Sequence, residues 1–228
     1  GTGSSILMNT GKKRVKSSTG MVSTICWSME GRTDYALEGI IVTCGGTIKW
    51  IQNELGLFHS AGDTDKIAMS VTDNNGVYLI PAFSGLGAPH WKMDSKAAIL
   101  NLTFDCKKSH IVRAALESIP YQITDVITVM EKDSGIDLHK LNVDGGITAN
   151  RFVMQFLSNC IGTKVENIGI EEVSALGAAF LAGLRCGIFD GLDSIKSMDG
   201  KVNIFTPDSD RHKVENWYNG WLENVGRV

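Results

Sequence analysis

The chain opens with short runs of alternating apolar and polar residues and later changes to the spacing of helices. Residues 5–9, 23–28 and 35–39 are rich in β-branched, aromatic and other apolar side chains and are separated by glycine-containing turns. Such runs bounded by turn residues are typical of β-strands. We therefore predict that the first forty residues form a meander of antiparallel strands.

Helical periodicity begins at the glycine pair Gly45-Gly46. Ile48, Ile51 and Leu55 follow it at the three- and four-residue steps that place side chains on one face of a helix. A second helix of about 25 residues is predicted from Ser109 as its cap, with apolar positions continuing to residue 130. Pro120 lies inside it, and a proline there removes a backbone hydrogen bond, so we expect a kink or a split.

The second half of the chain alternates between strand and helix patterns. Further strands are predicted at residues 77–80, 97–102, 141–143 and 165–167, and further helices at residues 152–161, 174–187 and from Pro207 onward. The helix at residues 174–187 is rich in alanine and glycine and is expected to pack closely, and residues 188–206 look like a loop. Strands that first form a meander and then alternate with helices indicate an α/β fold with a mixed sheet flanked by helices.

Composition narrows the class of protein. The 228 residues carry a net charge of −3, so no general surface for nucleic acid is implied. No apolar run reaches the roughly 18–20 residues of a membrane span, and no signal peptide is visible. The five cysteines are scattered without CxxC spacing, which favours buried free thiols over a zinc site or disulfides and indicates the cytoplasm. Because the chain starts with Gly1-Thr2-Gly3 and lacks an initial methionine, we expect it to be cut from a longer protein.

Three glycine segments are candidates for holding a phosphate. Thr2 lies in the first, where backbone N–H groups and a hydroxyl can face an anion, although a plain hairpin turn explains the pattern as well. Gly45-Gly46 stands at a helix start, where free N–H groups and the helix dipole favour anions, or where glycine serves structure alone. Asp144-Gly145-Gly146 ends a strand, the place where open α/β sheets bind ligands, although a purely structural turn explains the pattern as well. The patterns GxxxxGK[ST] and GxGxxG are absent, which disfavours a nicotinamide oxidoreductase.

The order of several motifs resembles the C-terminal half of the FGGY carbohydrate kinases, and most closely the glycerol kinases among them. Residues 35–39 match "YALEG", and residues 76–91 are similar to "GVYFVPAFSGLGAPYW". Residues 110–117 match "HIxRAxLE", residues 143–152 resemble "VDGGxxANxF", and residues 174–179 resemble "TALGAA". These matches cover nearly the full chain. The resemblance implies one domain over residues 1–228, a ribonuclease H-like lobe of the actin/hexokinase-like ATPase fold, with an N-terminal substrate domain missing from this chain.

The resemblance also implies functions for individual residues. Thr2 and Gly45 match positions beside the nucleotide phosphates, and Gly145, Gly146 and Asn150 match the adenosine-binding segment. The implied reaction is phosphoryl transfer from ATP, with Mg²⁺, to a hydroxyl of glycerol or a related polyol or sugar. The loop at residues 83–91 is implied to be an element of the fold at the edge of the cleft. No metal ligand is assigned to this chain.

Some positions depart from the family pattern. Ser5 stands where a phenylalanine packs on glycerol, which leaves room for a larger or more polar polyol. Lys49 replaces a glutamine beside the nucleotide, where it either meets phosphate or extends into solvent. The family's aspartate base lies upstream of residue 1, so this chain alone should not phosphorylate anything.

Two readings of the whole protein stay open. The first is an active kinase that works with its missing N-terminal domain and a small polyol or sugar, with homo-oligomers allowed. The second is a kinase-like protein that has lost catalysis and acts as a nucleotide-binding or regulatory module. His90 and His110 are expected to make structural hydrogen bonds, and the aromatic cluster around Trp221 is expected to serve packing.

Overall fold

The computed structural model describes residues 2–29, 31–167, 169, 172–196 and 203–228, and it begins with an antiparallel three-stranded sheet. Strands β1 (Ser4–Gly11), β2 (Val22–Met29) and β3 (Arg32–Ile41) lie in the order β1-β3-β2. A meander would put β2 in the centre, so that prediction is wrong. The central strand is β3, whose Leu37 and Ile41 are 0% and 2% exposed. The long connection between β1 and β2 lets β2 pair with the outer side of β3.

Two helices and a hairpin follow this sheet. Helix α1 (Gly45–Asn53) starts at the predicted glycine pair, and a short turn leads to α2 (Thr64–Met69). Strands β4 (Tyr78–Ile80) and β5 (Ala98–Leu100) then pair antiparallel to each other. The Gly- and Pro-rich loop between them carries His90.

Helix α3 (Lys108–Ser134) is the central element of the fold. It is one segment of 27 residues with Pro120 inside, so the expected split does not occur. Much of the helix is buried on several sides, and this packing outweighs the roughly 3 kcal/mol cost of an internal proline. The predicted cap at Ser109 is also wrong, because the helix is capped at Lys107, whose backbone N–H donates to His110 Nδ1 at 3.1 Å.

A second sheet of three strands follows α3. Strand β6 (Lys140–Val143) pairs in parallel with β7 (Lys164–Asn167), and α4 (Arg151–Ile161) connects the two. Strand β8 (Asn203–Phe205) pairs antiparallel with β7. The predicted loop at residues 188–206 therefore contains a strand, and it also contains the short helix α6 (Leu192–Lys196).

Two more helices complete the described part of the chain. Helix α5 (Val173–Arg185) lies mostly exposed, with Gly183 as its buried position, so the expected close packing is wrong. Helix α7 (Arg211–Gly226) begins four residues beyond Pro207, because the Asp210 side chain accepts from the first turn and caps it there. None of the described helices is both long and apolar enough to cross a membrane.

A buried carboxylate ties α7 to α3 and to the loop after β4. Asp125 is 3% exposed and accepts hydrogen bonds from His90 Nε2 at 2.7 Å, the Tyr218 hydroxyl at 2.6 Å and Trp221 Nε1 at 2.8 Å. Burial and the adjacent carboxylate raise the pKa of Tyr218, so its hydroxyl stays protonated and donates. The structural hydrogen bonds expected of His90 and His110 and the packing expected of Trp221 are thus confirmed.

The five cysteines are all free thiols, as expected. Cys44 and Cys160 are buried, and burial raises the pKa of both thiols. Cys186 is exposed, so the prediction that the cysteines are buried does not hold for it.

Candidate nucleotide site

The first two glycine segments of the sequence lie side by side in the structure. The backbone carbonyl of Thr2 accepts hydrogen bonds from the N–H of Cys44 at 2.7 Å and of Gly46 at 3.3 Å. A Cβ at Gly46 would lie 3.0 Å from the Thr2 methyl group, so glycine permits this close approach. The segment that precedes β1 is therefore fixed against the start of α1. Gly1 lies outside the described residues.

The N-terminus of α1 has the properties of an anion site. Its first residue, Gly45, is half-buried; the helix has no side-chain cap and no acidic residue in its first turn. The positive end of the helix dipole is therefore not neutralised by the helix itself. Thr47 is 0% exposed, and its hydroxyl has no hydrogen-bond partner within the described part of the chain. The exposed Thr2 beside this uncapped helix end fits an oxygen-rich ligand such as a phosphate.

Lys49 lies on the first turns of α1 and is exposed. Within the described part of the chain, no hydrogen bond or ion pair holds its ammonium group.

The third glycine segment forms an open surface at the end of β6. Gly145 has a φ of +87°, a backbone conformation that favours glycine, and residues Gly146–Ala149 form a single 3₁₀ turn before α4. Gly145 and Gly146 are both exposed, and an added Cβ would meet no atom within 4 Å at either position. The turn therefore exposes backbone with open space over it, which suits a flat ligand that packs on glycines.

Asn150 links this turn to the preceding part of the chain. Its Oδ1 caps α4 by accepting from Val153 N at 3.0 Å, and its Nδ2 donates to Thr64 Oγ1 at 3.0 Å. Thr64 begins α2 and is 1% exposed. Asn150 therefore positions the turn, a function that the sequence pattern did not reveal.

Helix α1 and Asn150 both contact the segment that leads from α1 into the start of α2. Gln52 of α1 donates through its side chain to the carbonyl of His59 at 2.6 Å, and Asn150 reaches Thr64. Among the residues that the structure describes, no hydrogen bond joins the turn at Gly145 directly to Thr2 or Gly45. Residues 59–64 thus connect helix α1 with the turn at Gly145 through hydrogen bonds.

Ser5 lies on the exposed face of β1. Its hydroxyl donates to Glu38 Oε1 of β3 at 2.7 Å. Glu38 is part of the "YALEG" motif, but the sequence alone gave it no function. Its position beside Ser5 follows from the pairing of β1 with β3, which the sequence did not predict.

A buried ion pair on α3 holds the segment that follows α2. Arg113 Nε donates to Glu117 Oε1 at 2.7 Å, and Asn74 Nδ2 donates to Glu117 Oε2 at 2.8 Å. Arg113 also donates to the carbonyl of Val71 at 2.6 Å, just after α2. Burial raises the pKa of Glu117 to about 7, although Arg113 opposes this shift.

In the described part of the chain, no group of three or more His, Cys, Asp or Glu side chains is arranged to hold a metal ion.

Comparison with known proteins agrees with this arrangement. Residues 1–186 match the FGGY family of carbohydrate kinases, C-terminal domain. The full chain is 45% identical to a glycerol kinase of Alkaliphilus metalliredigens and 48% identical to one of Pseudomonas savastanoi, and it covers 46% of each relative. The chain thus spans about half the length of these relatives.

Solved structures show the same fold. The crystal structure of Plasmodium falciparum glycerol kinase with ADP aligns with a TM-score of 0.93 and 40% identity, over 100% of this chain and 46% of that one. A ligand-bound xylulose kinase from Lactobacillus acidophilus aligns with a TM-score of 0.83 at 20% identity, over 99% of this chain and 46% of that one, which shows the fold alone. These neighbours confirm the ribonuclease H-like lobe of the actin/hexokinase-like ATPase fold. The chain therefore belongs to the FGGY family of carbohydrate kinases and corresponds to the C-terminal domain of that family.

Proposed function

We propose that this chain is the nucleotide-binding lobe of an ATP-dependent kinase that phosphorylates glycerol or a related polyol or sugar. The observation that carries the proposal is the contact of Thr2 with Cys44 and Gly46, which fixes a hydroxyl-bearing turn beside an uncapped helix N-terminus. The glycerol kinase relatives and the ADP-bound structure of one of them support the same reading.

In this proposal, the two glycine regions bind different parts of the nucleotide. The positive end of the α1 dipole and the exposed Thr2 beside it hold the phosphate groups. Gly145 and Gly146 leave space for the adenosine, and Asn150 keeps their turn in place by capping α4. Mg²⁺, when bound with the nucleotide, spreads the negative charge of the phosphates during transfer.

The remaining machinery belongs to the rest of the protein. The chain covers about half of its relatives' length, and the resemblance to the family implies a base upstream of residue 1. We propose that a preceding N-terminal domain supplies the aspartate that removes the proton from the acceptor hydroxyl. The 228 residues alone then bind nucleotide without transferring its phosphoryl group.

Calorimetric titration of the full-length protein with ADP and Mg²⁺ tests the nucleotide site. Gly146→Val places a side chain in the open space over the turn, where no protein atom lies within 4 Å, so the fold should tolerate it. We expect it to weaken ADP binding at least about tenfold, or about 1.4 kcal/mol. Gly191→Val is the matched control, because Gly191 also has no atom within 4 Å of an added Cβ and is not in any segment assigned to the site.

An unchanged ADP affinity in Gly146→Val would refute the site assignment. A coupled assay with glycerol and longer polyols then separates the two readings of the whole protein. Nucleotide binding with turnover supports the kinase, whereas nucleotide binding without phosphorylation of any acceptor supports a kinase-like module that has lost catalysis.

A further inference from the structure

Arg113 is a nearly buried cation on α3 that contacts two elements beside the candidate nucleotide site. The residue is 7% exposed. Its Nη1 donates to the carbonyls of Ala68 at 3.3 Å and Val71 at 2.6 Å, at the end of α2 and just beyond it. Its guanidinium carbon lies 5.0 Å from the centre of the Phe152 ring, in the first turn of α4. One side chain therefore joins α3 to both α2 and α4.

The direction of this guanidinium is set by Glu117. Arg113 Nε donates to Glu117 Oε1 at 2.7 Å, and the second carboxylate oxygen accepts from Asn74 Nδ2 at 2.8 Å. A guanidinium is planar and carries its donors in fixed directions, so it can reach a carboxylate and backbone carbonyls in its plane while a ring packs on its face. The ammonium group of a lysine is a point charge and cannot hold all of these partners at once.

A second contact joins the same two helices at the other end of α2. Asn150 Nδ2 donates to Thr64 Oγ1 at 3.0 Å, at the first residue of α2, whereas Arg113 holds the last turn. Phe152 follows Asn150 by two residues, so both contacts act on the first turn of α4. The turn at Gly145 leads directly into that helix. The placement of the turn relative to α2 therefore depends on Arg113 as well as on Asn150.

We propose that Arg113, oriented by Glu117, is a positioning residue for the nucleotide. It fixes α4, and with it the turn at Gly145, against α2. Residues 59–64 connect α2 with α1, where we place the phosphates, so a shift of α4 changes the span between adenosine and phosphates. Because Arg113 is nearly buried, it acts through these helices. This inference rests on the proposed function, because it concerns the nucleotide site of the same kinase.

Calorimetric titration of the full-length protein with ADP and Mg²⁺, together with steady-state kinetics, tests the inference. Arg113→Lys keeps the charge beside Glu117 but loses the fixed directions of the donors, so the Kd for ADP and the KM for ATP should rise about fivefold. Arg113→Met loses all three hydrogen bonds and should raise both constants at least about tenfold. The number of ADP sites per protein, and kcat at saturating ATP, should stay within about twofold in Arg113→Lys.

The matched control is Asp125→Asn, which also changes a buried polar group of α3. The partners of Asp125 are His90, Tyr218 and Trp221, on the loop after β4 and on α7. This control should lower stability and leave the Kd for ADP unchanged. A merely structural function of Arg113 would reduce the number of ADP sites per protein and kcat, because fewer molecules fold, and would leave the Kd unchanged.

Two results would overturn the inference while the unaltered protein binds ADP. The first is a Kd for ADP in Arg113→Lys that lies within about twofold of that of the unaltered protein. The second is an equal loss of affinity in Asp125→Asn. Arg113→Lys keeps the ion pair, so it decides the inference even where thermal unfolding shows that Arg113→Met does not fold. Absence of ADP binding by the unaltered protein would overturn the proposed function, and this inference with it.

Discussion

Removing the carboxylate of Asp125 should loosen the attachment of the last helix to the rest of the molecule. Asp125→Ala deletes the acceptor of three hydrogen bonds, which come from His90, Tyr218 and Trp221. The Trp221 ring is 0% exposed, so its N–H would stay buried without a partner. Asp125→Asn keeps the size of the side chain and one carbonyl oxygen as acceptor.

The expected loss follows from these contacts. A hydrogen bond to a charged group contributes about 1.5–3 kcal/mol, and an orphaned buried donor costs about 1–3 kcal/mol. His90 and Tyr218 are partly accessible and regain water, so only the loss at Trp221 counts in full. We expect Asp125→Ala to lower the free energy of unfolding by about 3–5 kcal/mol and Asp125→Asn by about 2 kcal/mol.

Urea unfolding followed by tryptophan fluorescence measures these losses, since Trp221 is itself at the affected contact. Asp137→Ala is the matched control; Asp137 is exposed, and its replacement should change stability by less than about 0.5 kcal/mol. A loss below about 1 kcal/mol in Asp125→Ala, or an equal loss in the control, would show that the three bonds do not hold α7 in place.

Three further predictions concern the framework of the site. Asn150→Ala removes both the cap of α4 and the bond to Thr64 and should cost about 2 kcal/mol in urea unfolding, whereas Asn150→Ser keeps a capping oxygen and should cost about half as much; equal losses would contradict the cap. The folded pKa of Glu117, about 7, exceeds its ordinary value of 4.5, so its contribution to stability is complete below pH 4.5 and is lost as the pH rises through 7, by about 3 kcal/mol. Urea midpoints from pH 4 to pH 9 should show this decline in the unaltered protein and not in Glu117→Gln; parallel profiles would refute it. Gly3→Ala should lower stability by about 1–3 kcal/mol, because its Cβ would lie 2.5 Å from the Ile41 carbonyl oxygen, and an unchanged urea midpoint would show that β1 can move away.

The sequence predicted most elements because their apolar spacing is a local property. The long helix α3 is an example, since its apolar positions recur at helical spacing over nearly its whole length. Side-chain alternation does not specify which strand lies beside which, so the central position of β3 was missed. Strand β8 was missed because three residues are too short a run to show a period.

The sequence motifs identified residues of the candidate nucleotide site but did not reveal the contacts between them. Thr2, Gly45 and Gly145 were found as glycine segments, but the contact of Thr2 with Cys44 and Gly46 depends on how β1 and α1 pack. The double function of Asn150 depends on Thr64, which lies 86 residues earlier in the chain. Contacts between residues so far apart have no local pattern in one sequence.

The order β1-β3-β2 also affects how this chain behaves when it is handled by itself. Within the described sheets, β1 pairs with β3 and β6 pairs with β7, each on one side only. A free strand edge is a template for pairing with another chain, and the exposed apolar residues of α5 add to the attraction between copies. Concentrated solutions of the 228 residues should therefore associate and precipitate.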